Sequence, residues 1–225
     1  MYSDDMLRGL IKGYIAEYDE DLVKMGIVSE VFAHITTDLN FVSHDDVDVN
    51  ENIINFENGI LRLSDMQLIP HSPDILSTIQ IPCNWTDVPA PTPVFDSYME
   101  TLTDRGAEKK QLLLEFAGTA ISNVKGYRMK KSLFHVGKGN TVKKQLRSLV
   151  ERLISRNNYT SLDLTELEAR FGTSNIYGKR LAGSSDMSFM TVSELKTFKK
   201  CTGGDSLFAE LKGMNGFEFT YNGLL

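Results

Sequence analysis

The chain reads as an α/β protein in two parts, an α+β N-terminal module containing a β-hairpin followed by a parallel α/β core. Three observations predict this. Apolar residues recur at three- and four-residue spacing near the N-terminus, an Asn-Gly pair separates two apolar runs within 53–63, and from residue 107 onward short apolar runs alternate with helical patterns.

The 225 residues are 41% hydrophobic, enough for a sizeable core. No run approaches the roughly 20 apolar residues that span a bilayer. The start, Met1-Tyr2-Ser3-Asp4-Asp5, lacks the basic and apolar regions of a signal peptide, so no membrane partner and a cytoplasmic location are expected. Cys83 and Cys201 are far apart, form no metal-ligand spacing and read as reduced thiols. The net charge of −6 is unevenly spread, with −14 over residues 1–105 and +8 over 106–225. Such polarity predicts two modules, the basic one suited to phosphates or to its acidic neighbour. Pro82, Pro89, Pro91 and Pro93 around Trp85 form a stiff connector, which sets the expected modules at 1–94 and 95–225.

In chain order, Leu7, Leu10, Ile11, Tyr14, Ile15 and Tyr18 predict a first helix, and Gly26 and Ser29 a break before a second at 30–39. Asn58-Gly59 predicts the hairpin turn, because both residues tolerate positive φ, and Gln67-Leu68-Ile69 predicts another strand. His44 and His71, with nearby carboxylates, match no metal-ligand pattern; a solvated acidic loop is the expectation. A short helix is expected at 95–102, and Leu113, Phe116, Ala117, Ala120 and Ile121 predict another at 107–122. A strand is expected at 133–136, then a helix from Lys143 carrying Leu146, Leu149, Val150, Leu153 and Ile154. Thr165 with Glu168, and Thr191 with Glu194, have capping-box spacing for two further helices. Strands are expected at 180–183 and 217–220, and a tight turn at Cys201-Thr202-Gly203-Gly204-Asp205.

The chemistry centres on Gly137-Lys138-Gly139-Asn140-Thr141-Val142-Lys143-Lys144, which follows an apolar run and opens a helix. A phosphate loop reads G-x-x-x-x-G-K-[ST]: its backbone N–H groups cradle phosphates, its lysine bridges the outer two, and its hydroxyl holds Mg²⁺. Here Gly137 and Lys143 are in place, but Val142 stands at the second glycine and Lys144 at the hydroxyl. A lysine there can neutralise phosphate without metal yet removes a metal ligand, which argues against hydrolysis. Asp186, after the strand at 180–183, stands where a second acid would hold magnesium through water and polarise the attacking water. Two rival readings remain: a broken dinucleotide fingerprint with Asp163 as ribose acid, and a plain glycine turn beside a basic helix. Lys199, Lys200, Gly203, Gly204 and Lys212 form a basic, glycine-containing loop region suited to a phosphate backbone.

This order of motifs resembles the phage and plasmid primase–helicase family of the P4 type, which pairs a D5 N-terminal-like region with a superfamily 3 helicase domain. Asn58-Gly59-Ile60-Leu61, Pro70-His71-Ser72-Pro73 and Gln80-Ile81-Pro82 are similar to the N-terminal region; 133–144 to the phosphate loop; 162–171 and Gly178-Lys179-Arg180-Leu181 to the approach to the second motif. Lys199-x-x-Thr202-Gly203-Gly204-Asp205 and Lys212 are similar to the motif forming a DNA-contacting hairpin. The resemblance covers residues 50–225 and implies an incomplete P-loop, AAA+-like core, ATP and Mg²⁺ as cofactors, DNA as partner, a hexameric ring, and a phage, plasmid or integrated element in a bacterial host. It also implies a sensor asparagine and an arginine finger, expected beyond Leu225. On this reading the chain is a replication component with a degenerate nucleotide site. The alternative is a non-catalytic module that binds DNA or a helicase ring; a decayed fragment without activity is a third reading.

Overall fold

The computed structural model describes residues 4–37, 46–136, 143–184, 194–211 and 215–225, with Lys143 described by its backbone alone. It divides into two compact units, Met1–Val47 and Asp48–Leu225.

The first unit is a pair of helices, α1 (Asp4–Tyr18) and α2 (Met25–Thr37), joined through a 3-10 turn at Glu20–Leu22. Asp19 starts that turn by accepting from the Asp21 N–H at 2.9 Å. The break therefore falls before Met25, and Gly26 and Ser29 lie inside α2, contrary to the expectation that they interrupt it. Tertiary contact outweighs the weak helix propensity of these two residues: Ser29 Oγ accepts from Arg8 Nη1 at 3.1 Å, and the Arg8 guanidinium lies 3.9 Å from the Phe32 ring centre. Ile11 and Val28 are the buried apolar residues of this pair.

In the second unit, β1 (Ile53–Phe56), β2 (Gly59–Arg62) and β3 (Gln67–Ile69) form an antiparallel meander. β4 (Gln80–Ile81) joins β1 in parallel, giving the order β3-β2-β1-β4. The hairpin is present, but its turn is displaced by one residue from the Asn-Gly pair: Phe56 pairs with Gly59, so Glu57 and Asn58 form the loop. Gly59 has φ +149, and a Cβ there would lie 2.6 Å from the Ile69 carbonyl oxygen, so glycine serves close strand approach as well as the turn. Ile54, Phe56, Leu61 and Ile81 are buried together against partly buried Trp85 and Ile121, each side chain of this kind contributing about 1.5–3 kcal/mol.

α3 (Pro93–Thr103) begins on proline, whose fixed φ suits the first helical position, and its Met99 is fully buried with Leu113 and Leu146. α4 (Ala107–Ile121) and α5 (Lys143–Leu153) carry Ala120 and Val150, which with Ile154 pack against Leu181 and Leu224. β5 (Tyr159–Ser161) and β6 (Leu181–Gly183) are parallel, and Leu224 bridges to Leu181 in parallel. Between these strands lie α6 (Leu164–Glu168) and α7 (Gly172–Ile176). The capping box of α6 is Asp163 with Glu166, each carboxylate accepting the other's backbone N–H at 2.8 Å, rather than Thr165 with Glu168. Asp163 is thereby occupied as a helix cap.

The expected strand at 133–136 is not one: Leu133 donates its N–H to the Leu225 carbonyl at 3.1 Å, and a single such bond makes no ladder. The expected helix after Glu194 begins at α8 (Lys196–Gly203), whose N-cap position is Leu195, with Thr191 outside the described residues. β7 (Ser206–Ala209) and β8 (Phe217–Thr220) then form an antiparallel hairpin. Its inner face packs on Tyr177, 4.7 Å from the Phe217 ring and 5.2 Å from Phe219.

Candidate functional site

Residues 137–142, the Lys143 side chain, Asp186 and Lys212 lie outside the described residues, so the loop and its acid are seen through what flanks them. Lys143 is the first residue of α5, and Lys144, exposed, the second. Cations at a helix N-terminus oppose the macrodipole at a cost of roughly 0.3–1 kcal/mol each, a cost that an anion in front of the helix removes.

One turn along, Arg147 joins α5 to the carboxyl ends of the parallel pair. Its Nε donates to Glu151 at 2.6 Å, its Nη2 donates to the Gly183 carbonyl at 3.0 Å, and its guanidinium carbon lies 5.2 Å from the Tyr159 ring centre. Tyr159 Oη donates to the same Gly183 carbonyl at 3.3 Å. Nη1 of Arg147 is buried without a hydrogen-bond partner among the described residues. The carboxyl ends of parallel strands are where open α/β sheets bind ligands, and Asp186 follows Gly183 by three residues. Sequence reasoning passed over Arg147; its signal was the four-residue spacing from Lys143 and to Glu151.

Arg180, quoted only as part of a motif, is 3% exposed and holds backbone rather than ligand. Its Nε donates to the Ala120 carbonyl at 3.2 Å, Nη1 to Asn222 at 2.6 Å, and Nη2 to the carbonyls of Thr119 and Val124. Burial pulls its pKa down to about 10.

Of the basic loop region, Lys199 is exposed on α8, and Lys200 Nζ donates to the Ser206 carbonyl at 3.0 Å. Gly203 ends α8, and Gly204, at φ +81, caps it by donating its N–H to Lys200. A Cβ on Gly204 would lie 2.7 Å from Tyr127 Cδ2, so that glycine also admits the tyrosine ring. For magnesium, Lys144, a cation, stands where the metal-holding hydroxyl would be. Among the described residues no group of three His, Cys, Asp or Glu suited to a metal forms. No helix among the described residues is long and apolar enough to cross a membrane.

Residues 6–104 match the protein family described as D5 N terminal like. The match supports a D5-like primase–helicase N-terminal region and a replication-related setting. It starts at residue 6, taking in the helical pair that the sequence resemblance left outside. No curated protein matches the chain.

Proposed function

We propose that the chain is a component of phage or plasmid DNA replication in which residues 95–225 form a superfamily 3 helicase-like nucleotide-binding module behind an acidic N-terminal module, residues 1–94. In this reading the backbone of 137–142 cradles phosphate, Lys143 bridges its outer groups, Lys144 neutralises charge in place of a metal, and hydrolysis is not expected.

The observation that carries this reading is the order of neighbours beside α5. Leu133 is bonded to Leu225, Leu224 bridges to Leu181 on β6, and β6 pairs with β5. The segment 224–225 thus lies between the segment entering the loop and the strand leading to Asp186. The two lysines opening α5 and Nη1 of Arg147, which has no partner among the described residues, support an anion at the same end of the sheet. Assembly into a ring, as in the family resembled, belongs to the same proposal.

Calorimetry with ATP, with and without Mg²⁺, tests it. Metal-independent binding that disappears in Lys143→Ala is expected; no binding at millimolar ATP rejects the reading. Val142→Gly combined with Lys144→Ser should make binding metal-dependent. A second reading, a non-catalytic DNA- or helicase-binding module, is favoured by the exposed Lys199 on α8. It predicts a salt-sensitive DNA complex weakened by neutralising Lys199 and Lys200.

A further inference from the structure

We draw no further inference here: the strongest candidate, the exposed apolar stripe of Leu10, Tyr14 and Tyr18 on α1 in the N-terminal helical pair, is a bare helix face, and nothing among the described residues shows what covers it.

Discussion

Asn58 and Trp85 are bound to each other twice. The Asn58 Nδ2 donates to the Trp85 carbonyl at 2.9 Å, and its Oδ1 accepts the Trp85 N–H at 2.9 Å. A hairpin-loop residue thus holds the proline-rich connector against the sheet, where the Trp85 ring lies 5.6 Å from Phe56.

Losing both bonds in Asn58→Ala should destabilise the protein by about 1–2 kcal/mol. The chain has a single tryptophan, so the emission of Trp85 reports the release directly. Asn58→Asp keeps the acceptor but sets a carboxylate against the Trp85 carbonyl. Its deficit relative to wild type should shrink as pH falls below about 4, where the protonated acid can donate. An unchanged emission in Asn58→Ala would show the connector is held by other contacts.

Glu168 caps a helix to which it does not belong. Its two carboxylate oxygens accept the Thr197 N–H at 3.0 Å and the Phe198 N–H at 2.9 Å, satisfying α8 where Leu195 cannot. Glu168→Ala should cost about 1–2 kcal/mol in urea unfolding and increase hydrogen exchange at the start of α8, while Glu168→Gln, which keeps one of the two acceptor oxygens, should recover part of the loss. Unchanged hydrogen exchange at the start of α8 in Glu168→Ala would contradict the cap.

Arg180 ties four backbone carbonyls from three chain segments, so Arg180→Met, which leaves those carbonyls without their donors, should cost about 3–4 kcal/mol. Arg180→Lys should be nearly as damaging, because one ammonium cannot reproduce the planar fork. Full stability in the lysine variant, measured by urea midpoint, would contradict the clamp.

Burial pushes the Cys201 thiol up to about 12, with Glu168 adding to the shift. The unfolded thiol ionises near 9, so the folded acid has the raised pKa. Its stabilisation is complete below about pH 9 and is lost as pH rises toward 12. Between pH 8 and 10 the loss should be about 1–1.5 kcal/mol, and urea unfolding of Cys201→Ala should show a shallower decline over that range. Tyr221, fully buried and also shifted up, should account for part of the slope that remains. In the native protein, thiol reagents should modify Cys83 before Cys201, which is 2% exposed.

What was legible in the sequence follows from local physics. The stripe of α4, the hairpin at 53–62 and the helix from Lys143 were visible because periodicity and turn chemistry are written within a few residues. The short strands β4, β5 and β7, only two to four residues long, carry too little pattern to be read alone, and β5 exists because β6 pairs with it. Capping misled for the same reason. Thr165 and Glu168 had the right spacing, yet Asp163 stood two residues earlier and took the N-terminus of α6, leaving Glu168 for α8.

By itself the sequence determined the mixed α/β composition, the separation of acidic from basic charge, and the loop motif with its two departures, Val142 and Lys144. Only the tertiary structure decided that Arg147 reaches the carboxyl ends of β5 and β6, that Arg180 serves backbone carbonyls, and that residues 127–134 lie along α8. Periodicity and motifs depend on near neighbours in the chain. Where a guanidinium finds its acceptors, and which segments come to lie side by side, depends on packing between parts of the chain separated by tens of residues, and no local pattern encodes that distance.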